Sequence, residues 1–236
     1  MARTLRVQIY SDGADVREMV AARDSGIVQG FTTNPTLMRK SGVADYERFA
    51  KAALAEVRDL PISFEVLADD FEEMERQARL IGSWGANVFV KIPITNTRSE
   101  SAVPLIGRLA ADGVRLNVTA VLTLEQVRAV AGVLPPETPA IVSVFAGRIA
   151  DTGRDPVPLM REALEILRPL PHAQLLWASP REILNVVQAD ECGCHIITVT
   201  PDLLKKLPVI GRTLEEMSLD TVKMFCDDAR AAGYRL

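Results

Sequence analysis

Lys91 lies inside the apolar run Val88-Phe89-Val90-Lys91-Ile92-Pro93-Ile94, where a cation has no structural reason to be. Lysines are almost never fully buried without a partner or a purpose, and burial disfavours the charged ammonium relative to the free amine. The placement points to an amine held uncharged and used as a nucleophile. The plainer reading is a buried structural ion pair with Glu65, which sits in a second run, Ile62-Ser63-Phe64-Glu65-Val66-Leu67.

Polar residues close the other apolar runs of the chain. Asp12 ends the first, Thr32-Thr33-Asn34-Pro35 the second, and Asn117 and Thr119 belong to the fifth. Ser143 and Arg148 follow in the sixth, Ser179 and Arg181 in the seventh, and Thr198 and Thr200 in the eighth. Each has an ordinary use as well. Asp12 suits a helix cap, Asn34 before Pro35 suits a turn, and the threonines have plain strand propensity. Arg148 and Arg181 taken singly read as surface charges. Their joint arrival at adjacent strand ends points instead to an anion site, because the planar guanidinium fork suits phosphate.

These residues converge only if the elements beneath them do. The chain repeats one unit, a short β-rich run, a turn and an amphipathic stretch, which is the pattern of a parallel sheet with helical crossovers. The runs fall at residues 5–12, 27–34, 61–68, 87–94, 115–121, 140–149, 173–179 and 194–200. Eight is the number that closes a (β/α)8 TIM barrel, whose C-terminal strand ends share one mouth. Between the runs, Phe71, Met74, Ala78 and Ile81, or Met160, Ala163, Leu164 and Leu167, fall on single helix faces. Asp69 and Asp70 precede one helix, Pro156 opens another, and Gly82, Gly113 and Gly233 stand at helix ends. The rival architecture, a doubly wound open sheet, usually carries a glycine-rich turn after its first strand, and Ser11-Asp12-Gly13-Ala14-Asp15 is not that turn.

No linker or low-complexity stretch divides the sequence, so residues 1–236 are expected to form one domain with 208–236 as a C-terminal helical extension. Ser218 is the expected cap of that last helix. Its face of Val222, Phe225, Ala229 and Ala232 suits either the barrel bottom or a neighbouring subunit.

With 236 residues and 25.8 kDa the chain can bury a sizeable core, and its net charge of -4, with both signs interspersed, offers no basic field for nucleic acid or anionic lipid. A small-molecule partner is expected, with no nucleic acid and no membrane. The N-terminus runs from Met1 straight into a strand pattern without an apolar signal core, which is expected of a cytoplasmic protein. Cys192, Cys194 and Cys226 are an odd count for a disulfide framework, and Cys192-Gly193-Cys194 lacks zinc-ligand spacing. Neither a metal nor a cofactor is expected.

The ordered segments Gly30-Phe31-Thr32-Thr33-Asn34-Pro35-Thr36, Val88 through Thr95 and Leu116-Asn117-Val118-Thr119 resemble the transaldolase family. So do Ser143-Val144-Phe145-Ala146-Gly147-Arg148-Ile149, Ala178-Ser179-Pro180-Arg181 and Ile197 through Leu204. The resemblance covers essentially the whole chain and is to the short-chain branch, which includes the fructose 6-phosphate aldolases. It implies a (β/α)8 barrel that forms a Schiff base on Lys91 without metal or cofactor and acts on phosphorylated sugars. Asp12 resembles the aspartate that exchanges a proton with the sugar hydroxyl, and Glu65 the glutamate that activates a water. Asn34 and Asn117, with Thr33 and Thr119 beside them, match residues that hold the dihydroxyacetone unit. Ser143, Arg148, Ser179 and Arg181 match the phosphate end. The family also implies a homo-oligomer, in short members a ring-like decamer.

Within the branch, aldolases resemble one another in a glutamine at the place of Glu65 and a tyrosine at the place of Phe145, so this chain sides with the transaldolases. Gly13, Leu122, Val144 and Pro180 depart from the family pattern and leave the acceptor open. The expected activity is transfer of a dihydroxyacetone unit from a ketose phosphate to an aldose phosphate. A class I aldolase releasing free dihydroxyacetone and an inactive sugar-phosphate-binding barrel are the alternatives.

Overall fold

The computed structural model describes residues 4–235, so residues 1–3 and 236 of the expected domain lie outside the described part. Its strands are β1 (Gln8–Asp12), β2 (Gly30–Thr32), β3 (Ile62–Glu65), β4 (Val88–Pro93), β5 (Leu116–Val121), β6 (Ala140–Val144), β7 (Ala173–Trp177) and β8 (Ile196–Val199). All pair in parallel with their sequence neighbours, and β8 pairs with β1 to close a (β/α)8 barrel. The crossovers are α1 (Val16–Asp24), α2 (Pro35–Lys40), α3 (Tyr46–Glu56), α4 (Phe71–Gly82), α5 (Val103–Ala111) and α6 (Leu124–Ala131). They continue with α7 (Ala146–Ala150), α8 (Val157–Leu167) and α9 (Leu184–Cys192); α10 (Pro201–Leu204) and α11 (Leu214–Ala232) follow β8.

The two faces of each strand enter two separate cores. In β4, Val88, Val90 and Ile92 pack with the helices, whereas Phe89 joins Tyr10, Ile141, Leu176 and Ile196 inside the barrel. Val90 and Ile92 are fully buried, each stabilising the fold by about 1.5–3 kcal/mol. The alternation of period two therefore fixes Lys91 on the inward face, one layer above Phe89. Tyr10 fills the interior because its strand partner is Gly30, where a Cβ would stand 2.5 Å from the tyrosine ring.

The strand that was expected to run to residue 149 stops at Val144. Ala146 and Ile149, three residues apart, are both buried, which is helical spacing, and the Ile149 N–H donates to the Phe145 carbonyl at 3.0 Å. Arg148 accordingly sits on a helical turn and not on a strand. At the C-terminus the cap is Thr213, not Ser218, which lies within α11. Thr213 and Glu216 form a capping box, with Glu216 N–H to Thr213 Oγ1 at 3.2 Å and Thr213 N–H to Glu216 Oε2 at 3.0 Å. No described residue of α11 is buried, so the helix does not cover the barrel bottom.

Candidate active site

A cavity of about 780 Å³ opens at the C-terminal ends of the strands. Its floor is Lys91, only 6% exposed. The Nζ donates to the main-chain carbonyl of Thr33 at 2.8 Å and stands 3.1 Å from Glu65 Oε2. Glu65 and Lys91 are register partners on adjacent strands, so the contact follows directly from the β3–β4 ladder. The structure thus gives Lys91 two partners among its apolar neighbours, and the ion-pair reading and the nucleophile reading share one geometry.

Asp12 lies across the floor at the end of β1. Its Oδ1 accepts from Thr32 Oγ1 at 2.7 Å, and Asn34 Nδ2 lies 3.5 Å from its Oδ2. Burial pushes its carboxyl above the usual aspartate range, an effect that the Lys91 charge and the Thr32 hydrogen bond partly offset. Asp12 caps no helix, since Asp15 accepts the first N–H groups of α1. Asn34 caps α2, its Oδ1 accepting the Leu37 N–H at 3.0 Å, while its amide nitrogen faces Asp12.

Thr119 is buried on the cavity wall, and its Oγ1 has no hydrogen-bond partner among the described residues. A buried, unpartnered hydroxyl beside a titratable pair suits a bound water or a ligand oxygen. The next residue, Ala120, has φ of 60° where the β5–β6 register shifts, a bulge that turns the strand end at the cavity rim.

Thr33 and Asn117 do not line the cavity. Both are fully buried behind it. Thr33 reaches Lys91 through its carbonyl, and Asn117 bridges Ser63 Oγ at 3.0 Å and Ser143 Oγ at 2.6 Å. Ser143, which lines the cavity, therefore stands between Asn117 and a ligand.

Arg148 and Arg181 form the outer rim with Phe145 and Ser179. The Arg148 guanidinium lies over the Phe145 ring, 5.5 Å from its centroid. Arg181 pairs with Asp151, including a bond of 3.0 Å from Nε to Oδ1, and the Arg181 bond holds the Asp151 carboxyl below its usual range. The two rim segments meet closely: a Cβ on Gly147 would fall 1.6 Å from the Ser179 carbonyl oxygen, and Ser179 itself takes a φ of 61°. Only glycine fits at 147.

Sequence reasoning missed Lys40 and Ser63 as site residues, and it named Thr32 only as part of the polar end of its run without giving it a role. Lys40, at the end of α2, lines the cavity together with Lys91, Arg148 and Arg181, and nothing in its helical context distinguishes it. Thr32 bonds Asp12 and lies 2.5 Å from Thr198 Oγ1. Thr32 and Ser63 were accessible by period, two residues after Gly30 and two before Glu65 on the inward face. Cys192 and Cys194 are buried and Cys226 exposed, and His195 Nδ1 accepts the Leu175 N–H at 3.0 Å, away from the cavity. A second depression of about 420 Å³, at the N-terminal ends of β4 and β5, is lined by charges that already pair, such as Arg79 with Asp112.

The family model for transaldolase and fructose-6-phosphate aldolase matches residues 9–236. The chain belongs to the transaldolase/fructose-6-phosphate aldolase family. Among relatives of this family, a probable transaldolase of Dehalococcoides mccartyi is 35% identical over 202 residues, covering 85% of this chain and 90% of that one. A probable transaldolase of Roseiflexus castenholzii is 37% identical over 200 residues, with coverage of 81% and 85%. Probable transaldolase 2 of Listeria monocytogenes is 32% identical over 203 residues, with coverage of 85% and 88%. The family match, residues 9–236, spans all eight strands apart from Gln8 at the start of β1.

Proposed function

We propose that the chain is a transaldolase, transferring a dihydroxyacetone unit from a ketose phosphate to an aldose phosphate through a Schiff base on Lys91. The observation that carries this reading is the Lys91–Glu65 contact of 3.1 Å on the floor of a cavity that also holds Asp12. A proton passed from Nζ to Glu65 leaves a free amine without any movement of heavy atoms.

The amine attacks the C2 carbonyl of the ketose phosphate, and Glu65 relays the protons that release water and leave an iminium. Thr119 Oγ1 is free to hold that water. Asp12 then accepts the C4 hydroxyl proton, the C3–C4 bond breaks, and its electrons enter the iminium to give an enamine. Burial that disfavours the Asp12 carboxylate makes it a stronger base than an exposed aspartate. The aldehyde phosphate leaves, an aldose phosphate enters, and the steps reverse. Ser143, and Asn34 beside Asp12, hold the three-carbon unit; Asn117 orients Ser143, and Thr33 orients Lys91.

Arg148, Arg181 and Ser179 take the phosphate end of donor and acceptor, orienting both over the floor. Transfer requires an enamine that is not quenched by a proton. The Phe145 ring at the rim offers none, which favours transfer over release.

The same reading covers the remaining features. The chain acts as one barrel domain with 208–236 as its extension, in the cytoplasm. It assembles as a homo-oligomer, a ring-like decamer, in which α11 covers a second copy: Leu219, Val222 and Phe225 are 53%, 60% and 64% exposed in the single chain. No described helix is long and apolar enough to cross a membrane.

A coupled assay with fructose 6-phosphate separates the reactions. The transferase reading expects product only when erythrose 4-phosphate is added. Equal turnover without an acceptor identifies an aldolase, and no turnover with either identifies a binding barrel.

A further inference from the structure

The β2–β3 ladder runs in steps of two residues. The Phe31 N–H donates to the Pro61 carbonyl at 2.8 Å, and the Thr33 N–H to the Ser63 carbonyl at 3.1 Å. The next rung would join the N–H of residue 35 to the carbonyl of Glu65. Residue 35 is proline and has no N–H. Proline is well placed there for another reason, at the first position of α2 behind the Asn34 cap, so the turn that brings Asn34 to the cavity also removes the donor for Glu65.

A side chain fills the missing rung. Tyr46, at the start of α3, donates its hydroxyl to the Glu65 carbonyl at 2.7 Å. The ring is held edge-on against Phe64 at 6.4 Å and Trp84 at 5.8 Å, and Phe64 is in turn edge-on to Phe49. On its other side the end of β3 is tied to β4 by the Val66 N–H to the Lys91 carbonyl at 3.1 Å. Glu65 is therefore clamped between two bonds to its own strand end, one from the ladder and one from Tyr46. Burial raises the phenol well above its usual range, so it remains a donor through neutral pH.

We infer that Tyr46 is a positioning residue that holds the backbone of Glu65, and through it the carboxylate, against Lys91. The inference rests on the reading of Lys91 and Glu65 given above. A displacement of about 1 Å in a reacting group costs up to about a hundredfold in rate, and the bond from Tyr46 constrains a strand end that otherwise lacks a rung.

Tyr46→Phe keeps the ring and removes only the donor. We expect kcat, and the rate of borohydride-trappable imine formation, to fall about ten- to a hundredfold, with KM for fructose 6-phosphate within about twofold. The decisive comparison is a double-mutant cycle with Glu65→Gln. If Tyr46 acts through Glu65, Tyr46→Phe has little further effect in the Glu65→Gln background; an equal loss in both backgrounds overturns the role. A wild-type rate in Tyr46→Phe also overturns it, while an adduct on wild-type Lys91 keeps the reading of the site intact. If wild-type enzyme forms no adduct on Lys91, the reading of the site falls and the role of Tyr46 with it. Should Tyr46→Phe fold poorly, Tyr46→Trp, which keeps an aromatic ring but moves its donor away from the Glu65 carbonyl, supplies the same cycle.

Discussion

Lys91 Nζ stands 3.1 Å from Glu65 Oε2, and the two residues are direct register partners across β3 and β4. In the proposed mechanism this one contact is a buried pair in the resting protein and a proton exchange when a ketose arrives. Replacing Glu65 by Gln keeps the volume and removes the exchange. Imine formation should slow by about 10²- to 10⁴-fold, the usual contribution of a positioned acid or base, in a rapid-quench borohydride experiment. An unchanged rate would assign the proton relay elsewhere.

In the proposed mechanism Asp12 acts after the imine has formed. Asp12→Asn should still trap a ketose on Lys91, but as the intact six-carbon adduct, because C3–C4 cleavage lacks its base; a three-carbon adduct at the wild-type rate would remove Asp12 from that step. The pH profile follows in sign. Burial raises the Asp12 carboxyl above its ordinary 3.8, so as pH falls the carboxylate is protonated earlier, and the acid limb of the wild-type kcat profile should lie above pH 3.8; a limb at or below that value would contradict the role.

Arg148 and Arg181 differ in their present partners, an aromatic ring and Asp151 respectively. Arg148→Ala or Arg181→Ala should raise KM for phosphorylated acceptors by about ten- to a hundredfold, the value of a charge-assisted bond, and leave unphosphorylated aldehydes nearly unaffected. Steady-state kinetics with matched aldehydes checks this, and equal losses for both kinds would argue against a phosphate site.

Gly147 admits no side chain, since its Cβ would stand 1.6 Å from the Ser179 carbonyl oxygen. Gly147→Ala must push the Arg148 turn away from the Ser179–Arg181 turn. Urea unfolding should show a loss of about 1–3 kcal/mol, as for other overpacked sites, together with weaker phosphate binding. Unchanged stability and KM would mean that the rim tolerates separation of its two arginines.

The barrel was legible from strand number and alternation, and its floor from the inward parity of Glu65 and Lys91. What sequence could not supply was depth. Thr33 alternates with the inward Thr32 and so faces away from the cavity, which period two already implied; Asn117 is on the inward face of β5, level with Lys91, and its burial behind Ser143 depends on that neighbour and not on spacing. Residues 140–149 read as one strand-like run, which carries Arg148 onto a strand; the helical turn after Val144 packs against Ser179, thirty-odd residues downstream, a contact that no local pattern announces. The Thr213–Glu216 capping box was present in the sequence and marks the start of α11 more firmly than Ser218. Tyr46 carried no local signal, as its role arises from a missing N–H on another element.

The most direct test of the central claim is reduction with borohydride in the presence of fructose 6-phosphate, followed by peptide mass mapping. The account predicts a reduced three-carbon adduct on Lys91 and on no other lysine. Absence of an adduct there, or labelling of an exposed lysine such as Lys40 in its place, would contradict it.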